Sequence, residues 1–278
     1  MIRYLEDHEK EITKKLYREA FPEDSDAFVE YYYSYITKNN QIFVLEQEGR
    51  ICSMLHLNPY RLSVGGKMVD ACYYVAVATA KDCRHQGMMR RLMSRSLQDI
   101  RKKGHPFAYL MPADRAIYEP FDFRIVYEQK KVELPLDPGE ANKKMAELFD
   151  VYTVRDPWYV EKMLEEGRVC AGEAPFDIVP YIMMRITHVE KMLELLKSRA
   201  PFRGILKIRD DVILENNGYF LWEISHGKSS CKRLTEQPEE PWISLEIGEL
   251  TEFVFGKRKI RGLEEIQVLE KICINESV

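Results

Sequence analysis

Val75-Ala-Val-Ala-Thr-Ala-Lys-Asp-Cys-Arg-His-Gln-Gly-Met-Met-Arg-Arg-Leu-Met93 passes from an apolar, strand-forming stretch through a short polar loop into a basic amphipathic segment. The apolar part continues a run of β-branched and aromatic residues that predicts a strand from Met68 to Thr79. Beyond the loop, Met88, Met89, Leu92, Met93, Leu97 and Ile100 recur at helical spacing, which predicts a helix over Gly87 to Lys103, stopped by Gly104. A glycine at a helix start lets a ligand approach backbone N–H groups that point outward. The helix dipole adds partial positive charge, so the geometry suits a pyrophosphate. Between Lys81 and Lys103 there are eight basic and two acidic residues, a local charge of +6, whereas the whole chain sums to −4. A helix with a solvated basic face accounts for that charge equally well on physical grounds alone.

Working outward, strands at Gln41 to Glu46 and Ile51 to Leu62 stand at the spacing of a meander with the strand that ends at Thr79. Ahead of them Ile12, Leu16 and Ala20 share one helical face. Pro22 breaks that run, and Ser25 is placed to cap a second helix carrying Phe28, Tyr31, Tyr32 and Tyr35. Two helices are therefore expected before any strand. A strand Phe107 to Met111, a helical stretch Ala116 to Glu119 and a strand Phe123 to Glu133 close a first unit, residues 1–133. Two prolines and a glycine in Leu134 to Gly139 mark a boundary. Residues 134–176 then read as a helical linker, with helices over Ala141 to Phe149 and Asp156 to Glu166 and a break near Gly172 to Pro175. Residues 177–278 read as α+β: a strand Val179 to Ile186, a helix Val189 to Lys197, and strands near Gly204 to Arg209, Tyr219 to Ser225 and Ser229 to Arg233. A strand and helix follow over Ile243 to Gly256, with a last helix over Leu263 to Ile272.

The 278 residues are 45% hydrophobic with only 14 Gly and 13 Pro, which excludes a disordered or fibrous chain and fits two modest domains. The six cysteines are scattered without a CxxC pair, and no His/Cys spacing suggests a metal. The opening Met1-Ile-Arg-Tyr-Leu-Glu-Asp has no apolar signal core, and no apolar run approaches the roughly 20 residues that span a bilayer. The expectation is a reduced cytoplasmic protein with no membrane and no nucleic-acid partner, the net acidity arguing against a polyanion.

The spelling of the loop carries more than its spacing. Arg84-His85-Gln86-Gly87 after Val77-Ala78-Thr79 resembles motif A of the GCN5-related N-acetyltransferase (GNAT) superfamily: Gln or Arg, two residues, Gly, one residue, then Gly or Ala. Met89 stands at the last small position. A large apolar residue there is a feature of the branch similar to the enhanced intracellular survival (Eis) protein. The resemblance implies an α/β (α+β) chain whose N-terminal GNAT fold has a mixed, mostly antiparallel sheet, with acetyl-CoA as co-substrate and no metal. It implies that the strand before the loop is splayed, so that Val77 and Thr79 bond the pantetheine and acetyl carbonyl as an added strand would. It also implies that Arg84, His85, Gln86, Gly87, Met88 and Met89 cradle the pyrophosphate.

Leu110-Met-Pro-Ala-Asp-Arg-Ala-Ile-Tyr118-Glu-Pro-Phe-Asp-Phe123 resembles a second block of that branch, with Asp122 in place of the usual glycine. Tyr118 takes the position of the family's general acid, and a thiolate leaving group whose thiol has a pKa of about 8.5 can take a proton from a nearby phenol. Pro180 to Ile186, Leu206 to Asp211, Glu215 to Gly218 and Ile243 to Gly256 look like the sterol carrier protein-like domain that ends Eis-type enzymes. That resemblance implies that the tail returns to the acetyltransferase site and that the Val278 carboxylate acts as base. It further implies that residues 134–176 are the remnant of a second acetyltransferase-like lobe. Phe28, Tyr31 and Asp114 are candidates for the acceptor side, and a homo-oligomer is a possible assembly. The function implied is acetyl transfer to a primary amine of a small cationic molecule by direct attack in a ternary complex. The alternative is a non-catalytic protein of the same fold that binds an acyl-CoA or another apolar ligand.

Overall fold

The computed structural model describes residues 1–130, 132–171 and 180–276. The chain opens with a short strand, β1 (Ile2–Tyr4), a 3-10 helix over Asp7–Thr13, and two helices, α1 (Lys14–Ala20) and α2 (Asp26–Ser34). Ser25 caps α2, its hydroxyl accepting from the Phe28 N–H at 3.2 Å. Two sequence expectations fail here. A strand precedes the helices and pairs antiparallel with the first meander strand, its three residues being too few to show an alternation. Ile12, placed on a common face with Leu16, is 52% exposed, because the 3-10 helix has three residues per turn and rotates it out of line.

The meander follows as β2 (Gln41–Gln47), β3 (Arg50–Val64) and β4 (Lys67–Thr79), then α3 (Met88–Lys102), β5 (Phe107–Leu110), α4 (Arg115–Tyr118) and β6 (Arg124–Glu128). Next come α5 (Pro138–Leu148), a strand β7 (Val151–Thr153) that the sequence pattern does not reveal, and α6 (Pro157–Val169). The break expected near Gly172 to Pro175 lies outside the described residues. The remainder comprises β8 (Tyr181–Ile186), α7 (Val189–Leu193), β9 (Lys197–Ser198), β10 (Phe202–Arg209), β11 (Gly218–Ser225), β12 (Lys228–Leu234), β13 (Ile243–Glu246), α8 (Ile247–Val254), β14 (Ile266–Gln267) and β15 (Ile272–Cys273). The expected last helix over Leu263 to Ile272 is absent. Leu263, Ile266, Leu269 and Ile272 are all buried at helical spacing, yet the segment pairs through β14 with β9 and through β15 with β7.

Among the described residues the large sheet runs β1-β2-β3-β4-β5-β8-β6, with β7 paired to β3 and β15 to β7. A second sheet runs β12-β11-β10-β13. The strand β8, which the sequence pattern groups with residues 177–278, inserts between β5 and β6 of the large sheet, antiparallel to both. One face of that sheet packs on α3 through Leu55, Leu57 and Leu110. The other face is continuous with the C-terminal part: Tyr60, Leu62, Tyr73 and Phe107 share one apolar cluster with Trp222, Leu250 and Phe255.

Candidate active site

β4 and β5 pair in parallel only over Cys72–Tyr74 and Ala108–Leu110. Beyond that point β5 has ended, while β4 runs on to Thr79 held by β3 alone. The strands therefore part, leaving the backbone edge of Val75 to Thr79 without a strand partner on that side. At the opening the β3–β4 register slips between Met54 and His56, so that Ala76 and Val77 together face Leu55. This is a β-bulge, and Ala76 takes φ +50° within it. A left-handed alanine costs about 1–2 kcal/mol. The bulge lies just beyond the last β4–β5 pair, Tyr74 with Leu110.

The loop after β4 completes the opening. His85 and Gly87 are both left-handed, at φ +61° and +72°. Gly87 caps α3 with no side chain bonded to the first-turn N–H groups, so those donors remain available to an anion. A Cβ built on Gly87 meets nothing within 4 Å, so the glycine faces open space. Met88 is buried and Met89 half-buried against the core, so these two bring their backbone, not their side chains, to the loop. Arg84 turns its Nε back to the Thr79 carbonyl at 3.1 Å, and Gln86 donates to the Asp82 carbonyl at 3.2 Å. Thr79 Oγ1 lies 2.9 Å from Ser53 Oγ. Val77 is half-buried beside them.

Tyr118 ends α4 and is 8% exposed; burial pushes its phenol up to about 12. Its ring meets Phe123 edge-on at 6.2 Å, and Phe123 in turn meets Tyr74 of β4 at 6.0 Å. Tyr118 is thereby tied to the strand beside the gap. Asp122 adopts φ +62°, the left-handed turn for which the resembling family uses glycine. Aspartate tolerates it, and Arg124 bonds its carboxylate at 2.9 Å.

On the sheet face away from α3 the structure assembles a polar cluster that the sequence analysis missed. Glu276 is 1% exposed. Its Oε1 accepts from the Tyr159 hydroxyl at 3.1 Å, and its carbonyl accepts from Tyr73 at 3.3 Å and from Gln129 at 3.2 Å. Tyr73 pairs with Tyr109 one rung before β4 and β5 part, so the tail is anchored beneath the opening. Glu276 Oε2, the Tyr109 hydroxyl and Arg155 Nη1 are buried without a partner. Lys162 is also buried, with its ammonium 5.4 Å from the Tyr60 ring centre and 3.4 Å from Glu166. Burial alone would lower its pKa; Glu166, Tyr159 and Glu276 outweigh that and hold it above the ordinary lysine value. The available signal was the period of two on β3: His56, Asn58 and Tyr60 fall on one face and Leu55 and Leu57 on the other.

The remaining site expectations are placed as follows. Tyr31 is buried and donates to the Lys162 carbonyl at 3.2 Å, and Phe28 packs on Tyr31 and Tyr32, so both lie in the interface of α2 with the tyrosine cluster. Asp114 is exposed and caps α4, accepting from the Ala116 N–H at 2.9 Å. Val278 lies outside the described residues. Among the described residues no group of His, Cys, Asp and Glu is arranged to hold a metal, and no helix is long and apolar enough to cross a membrane.

With this geometry in place, comparison with known proteins gives consistent matches. Residues 1–126 match the model of the acetyltransferase (GNAT) domain, and residues 189–276 match that of the sterol carrier protein domain. An uncharacterized N-acetyltransferase of Streptomyces avermitilis is 31% identical over 105 residues, a match covering 33% of this chain and 26% of that protein. The chain thus spans about a quarter of that curated relative. Among solved structures, a probable N-acyltransferase of Enterococcus faecalis V583 superposes with a TM-score of 0.74 at 14% identity, over 96% of this chain and 93% of its own. A GCN5-related N-acetyltransferase of Anabaena variabilis gives 0.69 at 16% identity, over 97% and 95%. Eis1 of Mycobacterium abscessus gives 0.66 at 13% identity, over 96% and 93%. At such identities these likenesses speak for the fold. Residues 1–126 are thus similar to a GNAT acetyltransferase domain and residues 189–276 to a sterol carrier protein domain, and the fold over nearly the whole chain is like that of Eis1.

Proposed function

We propose that this protein is an acetyl-CoA-dependent N-acetyltransferase that acts on a primary amine of a small cationic molecule by direct attack, without a covalent enzyme intermediate. The observation that carries the reading is the parting of β4 from β5 at Tyr74 and Leu110 beside an uncapped helix N-terminus at Gly87. An extended pantetheine arm can add to the free edge of Val75 to Thr79 as a strand would, while the pyrophosphate lies on the first-turn N–H groups of α3. In the reaction a nitrogen–carbon bond forms at the thioester carbonyl and the carbon–sulfur bond breaks. The sulfur takes its proton from Tyr118, and the amine loses one to a base. In this reading the base is the Val278 carboxylate, two residues along the chain from Glu276, which Tyr159 and Tyr73 hold by hydrogen bonds.

A phenol near 12 is a weak acid, but the burial that raises it also raises the proton affinity of a thiolate formed in the same desolvated site, so the two remain matched. Glu276, buried with its Oε2 unpartnered, is the carboxylate that a cationic acceptor would meet, whereas the half-buried Glu166 is paired with Lys162 at 3.4 Å. Residues 1–133, 134–176 and 177–278 are kept as the three parts of the chain in this reading, the middle part supplying Tyr159 and Lys162 to the acceptor side.

Calorimetry with acetyl-CoA followed by a panel of amines, with thiol release as the readout, tests the proposal. Binding plus release with any amine supports it; no acetyl-CoA binding overturns it. With an accepted amine, Tyr118→Phe is expected to lower kcat by about 10-fold or more, and one residue added after Val278 by a similar factor. Unchanged kinetics in both variants removes the two assignments.

A further inference from the structure

We propose that the sterol carrier part positions Tyr118 through two arginines, so that Arg185, Asp210, Arg124 and Gly248 act as positioning residues for the acetyl transfer. The inference rests on the reading of Tyr118 as the proton donor.

The turn that holds Tyr118 runs from Glu119 to Phe123 and has few bonds of its own. The Asp122 N–H reaches the Glu119 carbonyl at 2.9 Å, and the Phe123 N–H reaches the Tyr118 carbonyl at a long 3.4 Å. Guanidinium groups reach the carbonyls of Glu119, Phe121 and Phe123. Arg185 Nε donates to the Phe121 carbonyl at 2.7 Å. Arg124 Nη1 donates to the Glu119 carbonyl at 3.2 Å and to the Phe123 carbonyl at 3.0 Å.

Residues C-terminal to β8 set both guanidiniums. Arg185 has no exposed surface, and its Nη2 meets Asp210 Oδ1 at 2.6 Å in the loop after β10. Asp210 Oδ1 also accepts from the Val212 and Ile213 N–H groups at 2.9 and 2.8 Å, and Oδ2 accepts from Asn216 at 2.9 Å. The buried pair is thus bonded on every side. Such pairs contribute little net stability for the charge they bury, while their fixed directions hold geometry. Arg124 lies flat against α8 at Gly248, where an added Cβ would stand 2.5 Å from Nη2. Only glycine leaves that guanidinium its place.

The same loop reaches the phosphate-binding helix. Asn216 accepts from Arg101 Nε at 3.1 Å, and the Val212 carbonyl accepts from Gln98 at 3.3 Å. The Phe121 ring, at the far side of the turn, lies 5.4 Å from the Arg90 guanidinium in the first turn of α3. One loop of the C-terminal part therefore registers the proton donor against the helix that would hold the cofactor. Misplacing a reacting group by about 1 Å can cost on the order of 100-fold in rate.

The test uses the full chain with an accepted amine and the variants Gly248→Ala, Asp210→Asn, Tyr118→Phe, and each of the first two combined with the third. Gly248 stands in the first turn of α8, where alanine keeps the helix, and the atoms its Cβ would meet are the mobile end of Arg124, so Gly248→Ala displaces Arg124 while the helix is kept, and it decides the matter should Asp210→Asn fail to fold. Gly248→Ala is expected to lower kcat by about 10-fold while the acetyl-CoA KM stays within about 2-fold, the split of an effect confined to the transition state. Each double variant should be no slower than Tyr118→Phe alone. Hydrogen exchange should quicken at 118–123 and stay unchanged in the middle of α3. Unchanged kcat and exchange in Gly248→Ala, or doubles whose losses multiply, overturn the proposal while Tyr118 keeps its role. If Tyr118→Phe itself leaves kcat unchanged, the donor assignment falls and this inference falls with it.

Discussion

Two buried side chains tie the candidate site to pH in opposite directions. His56 of β3 is fully buried, its Nδ1 bonded to the Tyr32 hydroxyl at 2.9 Å, and burial together with the Lys10 charge pushes it down to about 3. The unfolded chain binds a proton there below pH 6.5 and the folded chain does not. The contribution is therefore complete above 6.5 and lost as pH falls toward 3, at up to about 1.4 kcal/mol per unit. Between pH 6.5 and 5 the protein should lose about 2 kcal/mol from this group. His56→Gln, which keeps a neutral partner for Tyr32, should remove most of that slope; urea midpoints at pH 7.5 and 5 for both proteins decide it. Tyr118 runs the other way. Its phenol, raised to about 12, adds stability present below the unfolded value near 10 and lost as pH climbs through 12. For catalysis the donor stays protonated to above pH 10, so kcat should not fall between pH 8 and 10. A fall centred near 9.5 in a pH–rate profile would mean a solvated phenol.

The elements that flank the proposed cofactor site were the most legible. On α3 the sequence places Met88, Met89, Leu92, Met93, Leu97 and Ile100 on one face; Met89 is half-buried and the other five are buried. β4 ends at Thr79 as expected, because its strand formers stop at the loop. What pattern alone does not carry is the bulge at Ala76, since alanine gives no sign of a positive φ, and β1, β7, β14 and β15, which are too short to alternate. The tyrosine cluster stayed hidden for another reason: Tyr73, Tyr109, Tyr159 and Glu276 are far apart in sequence, and the fold alone makes them neighbours. Gly87, at the start of α3, permits a prediction at this scale. A β-branched side chain at φ +72° costs about 1–2 kcal/mol and stands in space that is now open. Gly87→Val should weaken acetyl-CoA binding by about 10-fold or more, read by calorimetry, with a smaller change in kcat at saturation. Unaltered affinity would argue that the cofactor does not lie on this turn.

At the scale of the molecule, the two family segments do not correspond to two separable bodies. β8 lies just before the segment that matches the sterol carrier model, yet it fills the place between β5 and β6. Removing it would expose backbone edges of β5 and β6, the two strands that flank the α4 segment holding Tyr118 in the chain. The tail reaches back as well, with β15 parallel to β7, which is in turn paired with β3. Ile213, from the loop after β10, sits in the core beneath α3, and Trp222 and Phe255 share a cluster with Tyr73 and Phe107. With apolar contact and hydrogen bonding crossing in both directions, neither part can unfold while the other keeps its core. Denaturant unfolding of the intact chain should follow one transition, coincident by tryptophan fluorescence and far-ultraviolet circular dichroism. Two of the three tryptophans, Trp222 and Trp242, report the C-terminal part, whereas the circular dichroism reports both parts. A fragment of residues 1–133, lacking β8 and the tail, should fail to give a cooperative transition even though it contains the whole segment that matches the acetyltransferase model. Two resolved transitions, or a soluble fragment that melts sharply, would show that the crossing contacts are too weak to couple the parts. Holding of the proton donor by Asp210 and Gly248 would then have to be argued without them.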